Sequence, residues 1–374
     1  MTPIERGRLI GQARNIIRES VIPAYRKLDA FLVKDYLPKC RDTMGVWDTP
    51  NGAEYYRNRI AWFTTTGKTP DDIHDIGLKE IERIRGEMRA LAAQTGFQGG
   101  LAEFLVKLRT EERFKIRDPD ALLQRYQAQA KRVDPLLTQL FGKLSRIPYG
   151  VRPIPAASAP FTTSAYYQPA SPDGRRPGYF MVNLHKPEER PTYEIPALTL
   201  HEAVPGHHLQ IALAYELGEL PKFRREFDAT AFIEGWGLYA ESLGDEVGLY
   251  VDPYDKFGQL TFDMWRALRL VIDTGIHYKH WNREQAIALF KANTAKSDVE
   301  IENEVDRYIV WPGQALAYKV GQLKIRELRA LAEQQLGQRF DVREFHDVVL
   351  GSGAIPLDVL EENIHAWLNA KRSN

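Results

Sequence analysis

Three histidines and a glutamate lie within eight consecutive positions of a chain that has nine histidines in 374 residues. The segment reads Thr199-Leu-His-Glu-Ala-Val-Pro-Gly-His-His-Leu-Gln-Ile. In many zinc hydrolases two histidines four residues apart on a helix bind one ion, and the glutamate after the first histidine acts as general base. His201 and Glu202 match the start of that pattern. The sequence therefore indicates a hydrolytic zinc site here, with Glu202 as the base.

The second histidine does not stand where a regular helix would need it. Pro205 is four residues after His201, and the next histidines are His207 and His208. On an unbroken helix, position i+6 points about 120° away and position i+7 lies about 10 Å further along the axis, so neither shares an ion with His201. Because proline removes a helical hydrogen bond and glycine tolerates unusual dihedral angles, a bulge at Pro205-Gly206 can take up two residues. We predict such a bulge and prefer His207 to His208 as the second ligand.

A third ligand is expected from the following helix, because catalytic zinc sites use three protein ligands and leave one position open. The segment Ala231-Phe-Ile-Glu-Gly-Trp-Gly-Leu-Tyr-Ala-Glu places Glu234 among apolar residues. A carboxylate in such surroundings is costly unless it is paired or bound to metal. Glu234 is the predicted third ligand. Glu241 either supports a ligand histidine or is an ordinary surface carboxylate.

Amide hydrolysis also needs a donor for the oxyanion and a proton for the leaving amine. We predict Tyr318 as the oxyanion donor and His277 as a second donor or proton carrier. Arg307 is predicted to bind a substrate carboxylate through its guanidinium group. The alternatives are a packing tyrosine, a buried histidine and a surface ion pair. Tyr166 and Tyr167 are candidates for the wall of the cleft.

Helices must position these residues, because apolar residues recur at helical spacing over most of the chain. Thr69, Pro70 and Asp72 form a helix start with a capping box, and an apolar stripe from Ile73 to Met88 follows. Beyond the middle of the chain, helices are predicted over 193–216, 221–248, 254–278, 283–293, 297–310 and 312–335, with two shorter ones after residue 340.

Residues 147–178 interrupt this helical pattern. Seven prolines in that range exclude a continuous helix and indicate a long loop. Residues 178–184 then read as a single short strand. We predict a mainly α fold in which residues 1–374 form one helical domain with a proline-rich insert at 147–178. Two domains divided near residue 150 are the alternative.

The composition limits the possible partners. Lys plus Arg and Asp plus Glu both total 50, so the net charge is zero and favours neither nucleic acid nor an anionic membrane. The single cysteine, Cys40, excludes an intramolecular disulfide and a cysteine-rich metal site. Without a signal peptide or a long apolar segment, the sequence predicts a cytoplasmic protein. A periplasmic or secreted protein is the alternative if the N-terminus is incomplete.

Three strings of the sequence resemble the bacterial domain-of-unknown-function 885 family: H-E-A-V-P-G-H-H-L-Q, E-G-W-G-L-Y-A-E and P-G-Q-A-L-A-Y-K-V-G. That family is similar to helical zinc metallopeptidases of the thimet-oligopeptidase, angiotensin-converting-enzyme and Taq-carboxypeptidase type. The resemblance implies zinc on His201, His207 and Glu234, with Glu202 as base. It also implies a long-helix fold with a substrate channel and with the strand beside the site. Family members are often longer, and a further N-terminal helical region is expected to be missing here.

The function indicated is therefore a zinc-dependent hydrolase that cleaves peptide bonds in short peptides. One alternative is a metal-dependent hydrolase of non-peptide amides or esters. The other is an inactive helical protein that binds peptides. Short peptides are the expected partners, and neither nucleic acid nor a membrane is expected.

Overall fold

The structure, a computed structural model, describes residues 1–373 and confirms the predicted mainly α fold. The chain forms two compact units, Met1–Met44 and Gly45–Asn374. The organisation of residues 1–374 as one helical domain with an insert stays a prediction.

The first unit consists of consecutive helical segments. They are α1 Pro3–Ile16, a π-helical turn Ile17–Val21, α2 Ile22–Phe31, a second π-helical turn Leu32–Tyr36, and a 3₁₀ turn Leu37–Lys39. The Thr2 hydroxyl caps α1 by accepting a hydrogen bond from the Glu5 backbone N–H at 3.2 Å. None of residues 1–42 is buried.

The second unit contains the remaining helices. They are α3 Gly52–Thr64, α4 Pro70–Gln94, α5 Leu101–Thr110, α6 Pro119–Val133, α7 Leu137–Leu140, α8 Ile195–Glu202, α9 His207–Tyr215, α10 Lys222–Glu226, α11 Thr230–Glu246, α12 Pro253–His277, α13 Arg283–Lys291, α14 Asp298–Val310, α15 Ala317–Leu336, α16 Val342–Leu350 and α17 Leu357–Ser373. The helices predicted after residue 193 are therefore present. Two of the predicted ranges are each divided: 193–216 into α8 and α9, and 221–248 into α10 and α11.

Helix α4 begins as its sequence predicts. The Thr69 hydroxyl accepts from the Asp72 backbone N–H at 3.1 Å, and the Asp72 carboxylate accepts from the Thr69 backbone N–H at 2.9 Å. This capping box satisfies two backbone donors that a helix start leaves unpaired. The apolar stripe of α4 then packs along α12, and α11 packs along α15. Nearly every residue of α12 from Phe257 onward is buried.

A buried ion network joins α4, α12 and α15. The Lys319 ammonium donates to Asp263 at 2.6 Å and lies 2.8 Å from Glu80. Arg83 contacts the same two carboxylates, at 2.8 Å and 2.7 Å. The Lys319 side chain is completely buried, so these carboxylates supply the charge compensation that water cannot.

Three strands form a small sheet in the described part of the chain: β1 Tyr149–Pro153, β2 Ala165–Gln168 and β3 Gly178–Val182. The spatial order is β1-β3-β2, with β1 parallel and β2 antiparallel to β3. β3 is the predicted strand, two residues shorter than expected. β1 and β2 lie in the proline-rich range, where no strand was predicted. β2 is an edge strand, so one side of its backbone is not paired within the sheet.

No helix among residues 1–373 is both long enough and apolar enough to cross a membrane.

Candidate metal centre

A break between α8 and α9 brings His201 and His207 together. α8 ends at Glu202 and α9 begins at His207, so the intervening residues replace one regular helical turn. The Gly206 backbone N–H donates to the Leu200 carbonyl at 2.9 Å, a longer loop than the i to i−4 bond of a regular helix. The Trp236 indole N–H donates to the Pro205 carbonyl at 2.8 Å and ties the break to α11. The predicted bulge is therefore present.

Glycine is required at position 206 by close backbone approach. A Cβ atom there would overlap the carbonyl oxygens of His201 and Leu200. Any side chain would force the two helix ends apart and so separate the two histidines. This residue therefore sets the geometry of the bulge.

Three side chains of the bulge and of α11 could hold a metal ion. Single ligand atoms of His201, His207 and Glu234 all lie within 4.8 Å of one another. The Glu234 Oε2 atom is 3.6 Å from His201 Nε2 and 3.4 Å from His207 Nε2. The ring planes of the two imidazoles are nearly perpendicular, at 86°, with centroids 4.7 Å apart. Two imidazole nitrogens and one carboxylate oxygen form a donor set typical of catalytic zinc.

The polar atoms of this group fit a bound cation. Among the described residues, Glu234 Oε2 is buried and has no hydrogen-bond donor, which is costly for an ionised oxygen. Burial lowers the pKa of His201, but the Glu234 and Glu241 carboxylates outweigh burial and raise that pKa to about 10. Burial raises the pKa of the Glu234 carboxyl, but the imidazoles outweigh it and hold that pKa well below its usual value. The site thus stabilises positive charge between these side chains.

Glu241 supports His201 from behind. The Nδ1–H group of His201 donates to Glu241 Oε1 at 2.8 Å, which leaves Nε2 directed at Glu234. Glu241 is fully buried, so of the two alternatives in the sequence it is the supporting carboxylate. A Cβ atom at Gly237 would come within 2.8 Å of the His201 ring, and the glycine there makes room for the imidazole.

His208 does not join the other two histidines. Its Nε2–H donates to the Ile147 carbonyl at 3.0 Å, and its Nδ1 accepts from the Tyr167 hydroxyl at 2.9 Å. Burial lowers the pKa of His208 to about 4, so the ring is neutral. The structure therefore places His207, not His208, beside His201, and His208 instead connects α9 to the loop before β1 and to β2.

The three candidate ligands open into a cavity of about 560 Å³. This volume is typical of a small-molecule or peptide site. The predicted residues Glu202, Tyr318 and Arg307 line the cavity. Tyr318 stacks beside His201 with ring centroids 6.4 Å apart. Arg307 donates to Gln314 at 2.9 Å and reaches the Tyr318 hydroxyl at 3.5 Å.

His277 does not line this cavity, so it is not where its predicted role as a second donor or proton carrier needs it. It is fully buried at the end of α12. Its Nδ1 accepts from the Val46 backbone N–H at 3.2 Å, and its Nε2–H donates to the Tyr308 carbonyl at 2.9 Å. Both ring nitrogens therefore hold backbone groups in place.

Two arginines of the cavity wall were missed in the sequence. Arg266 and Arg269 lie on α12 and are almost completely buried. Two arginines three residues apart in the otherwise apolar run 264–272 were the available signal, because such groups are rarely buried without a partner. The edge strand β2 also lines the cavity, through Tyr166 and Tyr167 as predicted.

Comparison with known proteins identifies a family and several similar structures. The profile of the family described as "Bacterial protein of unknown function (DUF885)" matches residues 2–364. A comparison with curated proteins gives no match.

One similar structure is described as a "putative lipoprotein" from Colwellia psychrerythraea. It is 36% identical with a TM-score of 0.95, and the match covers 99% of this chain and 64% of that protein. Another, described in the same words and as of unknown function, comes from Shewanella oneidensis. It is 21% identical with a TM-score of 0.74, over 97% of this chain and 67% of that protein. The chain therefore spans less than two thirds of the length of the Colwellia protein. The likeness to the Shewanella protein shows a shared fold.

Proposed function

The chain belongs to the DUF885 family of bacterial proteins, and from that premise and its own side chains we propose that it is a zinc-dependent peptidase acting on short peptides. The observation that carries the proposal is the convergence of His201, His207 and Glu234 on one point in the wall of a cavity. The same arrangement supports the similarity to helical zinc metallopeptidases that the sequence motifs suggest.

The proposed roles of the residues follow from the chemistry of amide hydrolysis. A zinc ion bound by the three ligands would supply Lewis acidity and lower the pKa of a water molecule. Glu202 accepts the proton of the attacking water and passes it to the leaving amine. The Tyr318 hydroxyl donates to the oxyanion that develops on the carbonyl. Glu241 keeps the His201 ring in the orientation that ligation needs.

A peptide is favoured over other amides by the strand at the cavity wall. One side of β2 is not paired within the sheet of the described residues, and its residues Ala165, Tyr166 and Tyr167 line the cavity. An extended peptide can pair with such an edge through backbone hydrogen bonds, whereas a compact amide or ester cannot. The cavity volume suits a few residues rather than a folded protein.

The test is a change of the general base. Zinc-loaded wild-type protein is incubated with a mixture of synthetic peptides of four to eight residues, and the products are identified by mass spectrometry. Glu202→Gln is expected to lower hydrolysis by roughly 10²-fold or more, because a general base contributes about that factor. Zinc content, measured by elemental analysis, should be unchanged.

The matched control is Glu327→Gln on the exposed side of α15, which should retain wild-type activity. Full activity of zinc-loaded Glu202→Gln would contradict the assigned role. Wild-type protein that takes up no zinc after chelation and reloading would contradict the metal site itself.

We also infer that the protein acts outside the cytoplasm, instead of within it as the sequence alone predicts. The support is the description of the 36% identical Colwellia protein as a lipoprotein. Fractionation of the source cells, with detection by antibody, tests this: a cytoplasmic signal would refute it.

A further inference from the structure

Arg266 and Arg269 differ from the other buried charged residues of α12 because some of their N–H groups have no acceptor within residues 1–373. They are three residues apart and therefore share one face of the helix, and both line the cavity that contains the candidate ligands. Their residues are only 6% and 3% exposed. Removing a guanidinium group from water to this extent is costly unless its N–H groups find acceptors.

The acceptors supplied by the protein are incomplete. Arg269 donates to Glu304 at 2.9 Å and to the Tyr308 hydroxyl at 3.0 Å. Arg266 lies 3.7 Å from Glu241, beyond hydrogen-bond distance. Within residues 1–373 no acceptor is found for buried Arg266 Nε, Arg266 Nη1 or Arg269 Nη1. Both arginine residues line the cavity, and these three N–H donors are buried without an acceptor.

Arg307 differs from this pair. Its guanidinium group contacts Gln314 at 2.9 Å and Glu304 at 3.6 Å, and its side chain is 25% exposed. Its charge is therefore already compensated by the protein and by water. The structure favours the two arginines of α12 over Arg307 as the site where a ligand supplies missing acceptors.

The aromatic ring of Tyr318 connects this pair to the candidate ligands. The Arg269 guanidinium carbon lies 4.3 Å from the centroid of the Tyr318 ring, and that ring lies 6.4 Å from the His201 ring. The guanidinium of Arg269 is therefore no more than about 11 Å from the His201 ring, a distance that about three extended residues span. An anion bound by the pair is within reach of a bond at the metal centre.

We propose that Arg266 and Arg269 bind the C-terminal carboxylate of a peptide substrate, so that the protein removes one to three residues from the C-terminus. A carboxylate is planar and accepts several N–H groups, which matches the unpaired donors of two guanidinium groups. This inference rests on the proposed peptidase function. In the reaction, water adds to the carbonyl carbon, the C–N bond breaks, and the water proton goes to the leaving amine, which departs with the bound carboxylate.

The first test compares two forms of one substrate. Zinc-loaded wild-type protein is given an N-acetylated hexapeptide with a free C-terminal carboxylate and the same peptide as its C-terminal amide. We expect kcat/KM to be roughly tenfold or more higher for the acid, because charge-assisted hydrogen bonds are lost with the amide. The products should be the last one, two or three residues. Equal cleavage of both forms would overturn the inference and leave the proposed peptidase function intact.

The second test does not depend on turnover. Binding of the same acid and amide to zinc-loaded Glu202→Gln is measured by isothermal titration calorimetry. A Kd roughly tenfold or more lower for the acid supports the carboxylate site even if the wild-type protein hydrolyses neither peptide. In that case the peptidase proposal alone fails. Equal Kd values overturn the carboxylate site.

The third test identifies the residues. Arg266→Gln should raise KM for the acid roughly tenfold or more, and should raise KM for the amide by a much smaller factor, so that the preference for the acid is lost. Arg266→Lys, which keeps the charge but not the planar guanidinium, should recover part of the loss. Arg329→Gln on α15 is the matched control, since Arg329 pairs with Glu246 and does not line the cavity. Retained preference for the acid in Arg266→Gln would overturn the assignment, and the first test stands even if this variant does not fold.

Discussion

The orientation of His201 depends on one buried carboxylate. Glu241 accepts from Nδ1–H, so the ring presents Nε2 toward Glu234 and His207. A negative charge behind the ring also makes the imidazole a stronger electron donor to a cation. Ligand orientation and ligand strength thus have the same origin in this site.

Glu241→Gln is expected to weaken zinc binding about 10- to 100-fold, because glutamine can keep the hydrogen bond but not the charge. Competition with a fluorescent zinc chelator measures the change. Glu246→Gln, on the same helix but paired with Arg329, should bind zinc as wild type. A wild-type zinc affinity in Glu241→Gln would contradict the role given to this residue.

His346 on α16 makes stability depend on pH. It is fully buried, its Nδ1–H donates to the Leu140 carbonyl at 2.8 Å, and its Nε2 accepts from the Tyr239 hydroxyl at 2.8 Å. Burial lowers the pKa of His346 from 6.5 to about 3. Between these values the unfolded chain binds a proton that the folded chain does not bind. The contribution to stability is therefore complete above about pH 6.5 and is lost as the pH falls toward 3.

From about pH 7 to about pH 5, the free energy of unfolding should fall by about 2 kcal/mol more in wild type than in His346→Gln. Glutamine can replace both hydrogen bonds and does not titrate. Urea unfolding at the two pH values measures the difference. Parallel losses in both proteins would show that His346 does not titrate in this way.

At this scale the sequence predicts only what is local. That His201, Glu202, His207 and Glu234 lie together could be predicted because their spacing and apolar neighbours restrict where they can be. The position of His277 away from the cavity could not be predicted in this way. It lies eight residues beyond Arg269, which lines the cavity, and therefore about 12 Å further along α12. The cavity-facing arginines were missed because a helix buried on all sides does not show which face borders a cavity.

Helix starts and strands differ in how far the sequence predicts them. The capping box at Thr69 is complete within four residues and is confirmed. β1 and β2 acquire their structure from pairing with β3, which lies outside each segment. Prolines between them further obscure the pattern. Non-local pairing is thus the physical reason that two of the three strands were missed.

The ion network between α4, α12 and α15 predicts a large effect of one substitution. Lys319→Met should lower the free energy of unfolding by roughly 3–5 kcal/mol, because Asp263 and Glu80 lose a buried counter-ion. Lys324→Met on the same helix, whose side chain is partly exposed, should cost no more than about 1 kcal/mol. Urea unfolding compares the two. Similar losses would indicate that the Lys319 network contributes little.

Considered as a whole, the second unit would gain stability from a metal ion bound by the candidate ligands. The three candidate ligands come from α8, α9 and α11, so a bound ion would add a further link between these three helices at the bulge. Binding that occurs only in the folded state stabilises that state by mass action.

Zinc at a hundredfold excess over its Kd should therefore raise the free energy of unfolding by about 2.7 kcal/mol. Thermal unfolding of chelator-treated protein, with and without added zinc, measures the shift as an increase of several degrees in Tm. Magnesium should give no shift, since imidazole ligands suit zinc better. His207→Ala should abolish the zinc effect, and an unchanged shift in that variant would place the ion elsewhere.

The four residues between α8 and α9 also affect how proteins with a similar site are found from their sequences. Genome searches for zinc hydrolases commonly require three residues between the paired histidines, and such a filter would discard this chain. The number of residues between two ligands predicts the distance between them only when the backbone between them is a regular helix. A search pattern that admits a proline–glycine insertion and demands a downstream glutamate would recover proteins that the stricter filter rejects.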